Sequence, residues 1–417
     1  MGAGTARRTR LAALKPGVAA RAAARKIVTR VLRSGAYSNL VVRSETRNLP
    51  DRDANLAQRL AYDTLRNLLR VDRVIEAVSS RSLDKIQDQV LDTLRVGVNE
   101  VLFARTSDHA AVDCTVEVVR LLQPGATGFC NAILRSVVRD GEPPLPEDAR
   151  GDALRLGQPL WIWELLAEAW GPDEAGRFLG ASQSDAPRTV RLRGGEPPVD
   201  AVPVPGIAGA YALSSTADLP NHMEIQDGAS IAVGLALEPQ PGERILDLAA
   251  APGGKTLHIA DQLKGTGLIV ASDLHPRRAA AAARRLEGSL VQWCVADGRR
   301  TPYKTGSFDR VLLDAPCSGL GTLRRRPEVR FRVSLSGLGE LSVVQRLMLE
   351  EALRVVKPGG TVVYSVCTVT PQETTTVIED QQTEPIVGLP GRAWGGGWLL
   401  GPHLSGTDGM FITRIRG

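Results

Sequence analysis

The chain has 417 residues, of which 43% are hydrophobic and 23% are charged, a composition typical of a globular protein with two or three domains. No apolar run approaches the roughly 20 residues that a membrane-spanning helix needs. The basic N-terminus lacks the apolar stretch and cleavage site of a secretory signal. We therefore exclude an integral membrane protein and expect a cytoplasmic protein with no membrane contact.

Five cysteines are spread along the chain, and no two of them have Cys-x-x-Cys spacing. Their odd number and spacing argue against a disulfide framework and against a zinc site. The five histidines show no metal-ligand spacing, so we expect no metal. Free thiols in a reducing compartment can serve as nucleophiles.

The positive charge is concentrated at the N-terminus. The formal net charge is only +5, yet residues 1–44 hold ten Lys or Arg and no acidic residue. Such a run is typical of a basic arm that touches nucleic acid. For residues 1–20, which we expect to be flexible, a solvated tail without a partner is an equally good interpretation.

Apolar residues recur at spacings of three and four between residues 21 and 142, which predicts an all-α domain of five to seven helices. Gly141–Pro146 reads as a linker. Residues 150–235 are predicted to form a small connecting α+β domain, with helices over 151–183 and a short basic strand at Thr189–Arg193.

From residue 236 to the C-terminus the pattern changes to strand, turn and helix. We predict strands at 244–248, 268–272, 290–296, 309–314 and 361–366, and a closing strand at Met410–Ile415. A helix is predicted at Leu338–Val356, ended by Lys357-Pro358-Gly359-Gly360. This order indicates an α/β fold with a doubly wound, mostly parallel, Rossmann-like sheet.

A glycine turn joins the first of these strands to a helix at Ala249–Thr256. Gly253 and Gly254 allow a ligand to approach the backbone closely, and the helix N-terminus favours an anionic group. Asp273 ends the second strand, where a carboxylate can accept both ribose hydroxyls of a nucleoside. Asp297 ends the third strand and could contact the base. Together these features predict a nucleoside cofactor.

The same turn is one residue short of the GxxxxGK[ST] loop of nucleotide triphosphatases, with Asp314 in the place of a magnesium-binding aspartate. Against this alternative, Ala249 replaces the first glycine and Pro252 removes a backbone donor. Three successive strands that end in Asp also favour a nucleoside. A third interpretation is that the glycines only make a tight turn.

Two cysteines, Cys317 and Cys367, follow predicted strands and should face the crevice at the carboxyl ends of the sheet. Asp314 lies beside them, and desolvation could keep its carboxyl protonated so that it donates a hydrogen bond. A thiolate, a proton donor and a base suit methylation of cytosine carbon 5, which requires thiol addition at carbon 6. Spacing alone does not decide which thiol attacks.

Several segments resemble the Sun (Fmu, RsmB) family of bacterial 16S rRNA cytosine-C5 methyltransferases. They are Asp247–Thr256, Asp314–Thr322 (DAPCSGLGT), Arg324–Arg332 (RRRPEVRFR) and Tyr364–Thr368. Gly35–Leu40 and Asp108–Asp113 look like the NusB-like helical RNA-binding domain that these enzymes carry in front. The sequence departs from the family pattern at Ala249, where Cys is usual, and at Val366, where Thr is usual.

This resemblance implies a class I methyltransferase sheet behind a NusB-like domain, and transfer of a methyl group from S-adenosylmethionine to a cytosine of 16S rRNA. It implies Cys367 as the nucleophile and Cys317 as the helper in release of the methylated RNA. The implied cofactor residues are Ala249, Ala250, Ala251, Pro252, Gly253, Gly254, Lys255, Asp273, Asp297 and Asp314. We expect a monomer.

A run of arginines follows the Cys317 loop, and we predict that it binds RNA phosphates. The residues are Arg324, Arg325, Arg326, Arg330 and Arg332, with Arg191 and Arg193 of the connecting domain extending the track. Two alternatives remain: a non-catalytic RNA-binding or antitermination factor with a vestigial sheet, and a P-loop ATPase.

Overall fold

The computed structural model describes residues 15–215, 219–286 and 290–417. The chain divides into two compact units. Unit 1 holds the residues up to Ala175 together with Arg325–Phe331, and unit 2 holds Gly176–Arg324 and Arg332–Gly417. The main division falls between Ala175 and Gly176. It separates two units and does not test the smaller domains that we expected, so their boundaries at residues 142, 150 and 235 remain predictions.

Unit 1 is all-helical in its described part, as predicted. Its helices are α1 (Val18–Arg33), α2 (Ser38–Thr46), α3 (Asp51–Arg66), α4 (Leu68–Val78), α5 (Asp88–Phe103), α6 (Asp108–Leu122), α7 (Thr127–Asp140), α8 (Ala149–Arg155) and α9 (Leu160–Trp170). Most of the tail predicted for residues 1–20 lies outside the described residues, but Val18 already belongs to a helix.

The helices form because each buries one apolar stripe. In α1 the stripe contains Ile27, Val28 and Val31, which pack in one cluster with Leu60 and Leu65 of α3. A second cluster gathers apolar residues of α4, α5, α6 and α7. Burial of these faces, more than helix propensity, stabilises a helical unit of this size.

One buried ion pair ties α1 to α5. The Arg21 guanidinium donates two hydrogen bonds to the Glu100 carboxylate, at 2.7 and 2.6 Å. Both side chains are nearly inaccessible, at 5% and 0% exposure. Neither charge can be hydrated, so each depends on the other for compensation.

Unit 2 begins within helix α10 (Pro172–Ala181). A small antiparallel sheet follows, made of β1 (Arg188–Leu192), β2 (Val202–Pro203), β3 (Ala210–Leu213) and β4 (Met223–Ile225) in the order β2-β3-β1-β4. This sheet confirms the α+β character that we predicted for the connecting region.

The larger sheet and its helices occupy the rest of unit 2. The elements are α11 (Gly228–Leu237), β5 (Arg244–Asp247), α12 (Gly254–Gln262), β6 (Leu268–Asp273), α13 (Pro276–Arg285), β7 (Val291–Val295), β8 (Phe308–Asp314), α14 (Leu335–Val355), β9 (Val356–Val366), β10 (Thr383–Glu384), β11 (Arg392–Trp394), β12 (Gly397–Leu400) and β13 (Met410–Arg416).

The strand order is β11-β12-β13-β9-β8-β5-β6-β7, with β10 paired to β13. Strands β9, β8, β5, β6 and β7 are parallel, and β10 to β13 extend the sheet in antiparallel pairs. The chain reverses its direction of travel across the sheet between β5 and β8. This is the switch point at which open α/β sheets bind ligands, and the predicted Rossmann-like class is confirmed.

Two details differ from the prediction. Lys357–Gly360 does not end the helix before a loop but belongs to β9, which begins at Val356. The register between β8 and β9 shifts there, between Phe308 and Arg310, so the glycines form an irregularity within the ladder. Six short strands were also missed, because two to four residues carry too little alternation to be recognised. They are β2, β3, β4, β10, β11 and β12.

Among the described residues, no helix combines the length and the apolar character needed to cross a membrane.

Replacement of Glu100 by Ala should lower the free energy of opening of α1 and α5 by about 3–5 kcal/mol, because Arg21 would remain buried without its partner. Hydrogen–deuterium exchange of the full chain measures this opening locally. Glu117→Ala is the matched control, since its partner Arg120 is 56% exposed and such pairs contribute less than about 1 kcal/mol. Equal effects of the two substitutions would contradict the prediction.

Candidate active site

The two predicted thiols meet at the carboxyl edge of the sheet. The sulfur atoms of Cys317 and Cys367 lie 3.4 Å apart, and both residues are half-buried free cysteines. Cys114 and Cys130 are buried in unit 1. The structure therefore brings Cys317 and Cys367 together, as the sequence predicted.

Parallel pairing of β8 and β9 explains this proximity. Asp314 is the register partner of Ser365, and the Ala315 N–H donates to the Ser365 carbonyl at 2.9 Å. Cys317 and Cys367 follow these paired residues by three and two positions. The loop after Cys317 then returns, and the Gly321 N–H donates to the Cys367 carbonyl at 3.0 Å.

Gly321 has to be a glycine in this return loop. A Cβ built there would lie 2.0 Å from the Gly409 carbonyl oxygen and 2.9 Å from the Cys367 carbonyl oxygen. The second glycine of the DAPCSGLGT string thus permits a close backbone approach beside the thiols.

Asp314 accepts hydrogen bonds at both carboxylate oxygens. Lys255 Nζ donates at 2.7 Å and Ser365 Oγ donates at 2.8 Å. We expected desolvation to keep Asp314 protonated as a donor. In this arrangement an ammonium group lies against the carboxylate and both oxygens are hydrogen-bonded, and the role of Asp314 as a proton donor stays a prediction.

The ionisation of the neighbouring groups is set by the same contacts. Burial lowers the pKa of Lys255, but the Asp314 carboxylate that accepts its hydrogen bond, together with Cys367 and Asp247, outweighs burial and raises that pKa overall. The contact with Cys367 raises the pKa of Cys317 well above its ordinary value, and burial adds to the effect. Loss of the proton from Cys317 is therefore disfavoured while the Cys367 sulfur lies beside it.

The glycine turn opens helix α12 as predicted. Gly253 has a φ of 96°, which favours glycine, and a Cβ there would lie 3.1 Å from Leu286 Cδ1. A Cβ at Gly254 would meet nothing within 4 Å. The backbone is thus exposed to open space at the first residue of α12, where a ligand can approach it closely. Ala249, Ala250, Ala251, Pro252 and Lys255 complete the turn, with Ala251-Pro252 in the cis form.

Two buried carboxylates flank the turn. Asp247 accepts a hydrogen bond from Thr256 Oγ1 at 2.6 Å, while its other oxygen has no protein partner. Burial raises the pKa of Asp247 from its ordinary value of 3.8 to about 7. Asp273 accepts from the backbone N–H groups of Ala251 and His275, at 3.3 and 2.9 Å.

Asp297 differs from these two. It is 35% exposed, and its carboxylate pairs with Arg299 at 2.7 Å. The backbone N–H of Arg299 also donates to it, at 3.0 Å. These contacts lower the pKa of Asp297. Asp297 lies at the end of β7 as predicted, but its charge is already compensated, so its role as a base contact stays a prediction.

The sequence analysis did not identify a buried carboxylate that contacts the residues following both thiols. Glu373, fully buried, accepts hydrogen bonds from Ser318, which follows Cys317, and from Thr368, which follows Cys367. The spacing Thr368-x-Thr370-x-x-Glu373 places hydroxyls next to a glutamate and was the available signal. Val366, the departure from the family pattern, packs in the apolar core.

Three of the arginines predicted to bind RNA are buried instead. Arg330 of unit 1 is 1% exposed and donates to the carbonyls of Pro327 and Gly157, at 2.9 and 2.6 Å. Arg324 of unit 2 is 6% exposed and donates to the Gly406 carbonyl at 2.8 Å. Arg191 is 3% exposed and pairs with Asp261 at 2.7 Å. These guanidinium groups hold protein segments and are not available to phosphates.

The remaining arginines of the predicted track are more accessible. Arg193 also pairs with Asp261, at 3.0 Å, but is 32% exposed. Arg325 and Arg326 are half-buried, and Arg332 is exposed. The predicted RNA track therefore reduces to Arg193, Arg325, Arg326 and Arg332, for which it stays a prediction.

Comparison with known proteins gives a consistent picture. A family model described as 16S rRNA methyltransferase RsmB/F matches residues 234–416, and a model of the NusB family matches residues 18–139. The chain is 31% identical to ribosomal RNA small subunit methyltransferase B of Vibrio cholerae, covering 85% of this chain and 86% of that protein. It is 30% identical to the protein of the same name from Erwinia tasmaniensis, covering 95% and 98%.

Solved structures agree on the fold. The crystal structure of PH0851 superposes with a TM-score of 0.81 at 23% identity, covering 97% of this chain and 99% of that one. A methyltransferase homologue from Pyrococcus horikoshii gives a TM-score of 0.56 at 26% identity, covering 65% and 99%.

Stability should fall as pH rises because of Asp247. Its raised pKa means that the folded state holds a proton that the unfolded state releases, so stability present below about pH 4 is lost as pH rises to about 7. The full effect is at most about 4 kcal/mol. Asp247→Asn should remove this loss and be relatively more stable at pH 8, measured by urea unfolding from pH 4 to pH 8.

The control for this measurement is Asp380→Asn, which changes an aspartate whose side chain is 81% exposed. It should leave the pH profile of the wild type unchanged. Parallel pH profiles for the wild type and Asp247→Asn would rule out Asp247 as the source of the pH dependence.

Proposed function

The chain belongs to the 16S rRNA methyltransferase RsmB/F family, and from this premise we propose that it methylates carbon 5 of a cytosine in 16S rRNA through a covalent adduct with Cys367. The observation that carries the proposal is the pair of sulfur atoms 3.4 Å apart, beside the Lys255–Asp314 ion pair. A NusB family domain, which precedes the methyltransferase domain along the chain, supports an RNA substrate.

S-adenosylmethionine, when bound, would supply an electrophilic methyl group. The residues around the glycine turn fit such a nucleoside cofactor: open space faces Gly254, and the buried Asp247 has one oxygen without a protein partner. Asp273, at the end of β6, would accept the ribose hydroxyls, because a carboxylate at this strand end does so in dinucleotide-binding folds. Asp297 and Asp314 would complete the site.

Carbon 5 of cytosine is a poor nucleophile, and the thiol chemistry corrects this. The Cys367 thiolate would donate its electron pair to carbon 6, and the ring electrons would move towards nitrogen 3. Lys255 would supply the proton for nitrogen 3 through Asp314, since its Nζ lies 2.7 Å from that carboxylate. Carbon 5 would then be enamine-like and take up the methyl group.

Release requires a base that removes the carbon 5 proton, so that the double bond re-forms and the Cys367 thiolate leaves. Cys317 suits this later step. Its pKa is raised chiefly by the contact with Cys367, and that cause is lost once the Cys367 sulfur is bonded to carbon 6. Cys317 would therefore keep its proton during attack. After the adduct has formed, it would pass that proton through Asp314 to Lys255, which has given one to nitrogen 3, and as a thiolate it would then accept the carbon 5 proton.

The target base must leave its stack to reach the sulfur, which costs a few kcal/mol. We propose that the NusB-like unit holds the folded rRNA, and that Arg193, Arg325, Arg326 and Arg332 contact phosphates. The enzyme would act as a cytoplasmic monomer.

Replacement of Cys367 by Ala should abolish methyl transfer, because the proposed nucleophile is lost and the neighbouring Cys317, 3.4 Å away, is proposed to act only in release. The measurement is incorporation of tritiated methyl groups into unmodified 16S rRNA, followed by bisulfite mapping of the product. Cys294→Ala, which changes a half-buried cysteine of β7, is the control and should retain activity. Normal incorporation by Cys367→Ala would refute the mechanism.

Replacement of Cys317 by Ala should trap the enzyme on its substrate. The adduct would form through Cys367 but lack its base for release, so a covalent protein–RNA complex should accumulate on a denaturing gel. The double variant Cys317→Ala/Cys367→Ala should show no such complex. Absence of the complex in the single variant would count against the release role.

Binding of S-adenosylmethionine distinguishes the enzyme from a non-catalytic RNA-binding factor with a vestigial sheet. Isothermal titration calorimetry should detect binding to the wild type, and Gly254→Val, which places a side chain in the open space, should weaken it at least about tenfold. Lack of any heat with the wild type would favour the non-catalytic alternative.

A further inference from the structure

The Glu373 carboxylate is fully buried. It contacts the residues that directly follow the two cysteines. Within the described residues it forms no ion pair, and its charge is compensated by hydrogen bonds alone. One oxygen accepts from the Ser318 N–H at 2.7 Å and from Gln345 Nε2 at 3.2 Å. The other accepts from the hydroxyls of Ser318, Thr368 and Thr370, at 2.6, 3.1 and 2.9 Å.

These donors come from both thiol loops. Ser318 directly follows Cys317, and Thr368 directly follows Cys367. The Ser318 and Thr368 hydroxyls are also 2.8 Å apart. Gln345 of α14 joins the cluster to the Cys317 loop a second time, because its Nε2 donates to the Pro316 carbonyl at 2.8 Å. The carboxylate is thus a common anchor for the residues that flank both sulfur atoms.

A buried carboxylate without a cation is expensive, and stability alone would be served as well by apolar packing. We propose that Glu373 is a positioning residue that sets the distance between Cys317 and Cys367, and that it acts mainly on Cys317 and hence on RNA release. This inference rests on the proposed function of the two thiols, but its first test below does not require activity.

The two cysteines depend on Glu373 to different degrees. Cys367 directly follows β9, which is paired with β8 on one side and β13 on the other, and its carbonyl accepts from Gly321. Cys317 lies three residues beyond the end of β8, in a loop. Loss of Glu373 should therefore displace Cys317 while Cys367 stays in place.

Two substitutions separate hydrogen bonding from charge. Glu373→Gln can keep its oxygen towards the N–H donors, and its NH2 group, which has two donors, can donate to two of the three hydroxyls, since hydroxyls also accept. Glu373→Ala removes all of these contacts. Glu379→Ala is the matched control, because Glu379 is a 54% exposed glutamate that pairs with Arg346 on the surface.

The first test measures the sulfur–sulfur distance chemically. Diamide takes two electrons and two protons from a pair of thiols and leaves a disulfide, so its rate reports whether the sulfurs meet. Mass spectrometry should find rapid Cys317–Cys367 linkage in the wild type, Glu373→Gln and Glu379→Ala, and linkage at least about tenfold slower in Glu373→Ala. Equal rates in the wild type and Glu373→Ala, or no linkage in the wild type, would overturn the proposal.

The second test uses methylation of unmodified 16S rRNA. Glu373→Ala should lower kcat by about 10- to 100-fold with little change in the KM for RNA, and the covalent protein–RNA complex should accumulate as for Cys317→Ala. Glu373→Gln should restore turnover to within a few-fold of the wild type. If Glu373→Gln lowered kcat as much as Glu373→Ala does, the effect would be due to the lost charge, and the positioning role would be refuted.

Thermal unfolding checks that Glu373→Ala is folded. If it is not folded, Ser318→Ala can replace it, since this variant removes one hydroxyl that binds Glu373. Ser318→Ala should slow disulfide formation and lower kcat, both to a smaller extent. Unchanged disulfide formation and kcat would overturn the proposal. An inactive wild type with rapid disulfide formation would disprove the proposed function and leave the positioning role supported. An active wild type with unaffected Glu373→Ala would disprove only the positioning role.

Discussion

The pairing register of β8 and β9 is the constraint on which the site depends. With Asp314 opposite Ser365, the residues that follow both strands emerge side by side at the switch point of the sheet. A slip of one residue would turn Asp314 or Ser365 to the opposite face, since side chains alternate along a strand. The contact between Ser365 and Asp314, at 2.8 Å, is therefore a direct readout of correct register.

Charge around the thiols is handled in two ways. The Asp314 carboxylate is matched by the Lys255 ammonium at 2.7 Å, which would hold a proton close to the proposed substrate position. The buried Glu373 carboxylate, in contrast, accepts hydrogen bonds from neutral donors only, among the described residues. An ion pair next to the substrate can exchange its proton, whereas a carboxylate held by fixed dipoles keeps a fixed geometry. The two carboxylates thus suit different tasks.

Much of the fold follows from local sequence, and much of the site does not. Runs such as Val311–Leu313 predict strands because consecutive residues bury opposite faces, and the ends of such strands place Asp314 and Cys317 correctly. Burial of Arg330 was not predictable, because its carbonyl partner Gly157 is remote in sequence. The string RRRPEVRFR looks like a phosphate-binding surface until its three-dimensional partners are known. Glu373 was missed for the same reason: its importance lies in contacts made across 55 residues.

In the proposed mechanism, attack and release make opposite demands on two neighbouring sulfurs, and the structure supports the two sulfurs unequally. The attacking sulfur must be rigid, and Cys367 directly follows a strand with hydrogen-bonded neighbours on both sides. The proposed releasing group, Cys317, would stay protonated until the adduct exists, since its contact with Cys367 raises its pKa before attack. A loop residue held 3.4 Å from Cys367 would satisfy both conditions, because covalent capture of one sulfur would remove its effect on the pKa of the other without any movement of the chain.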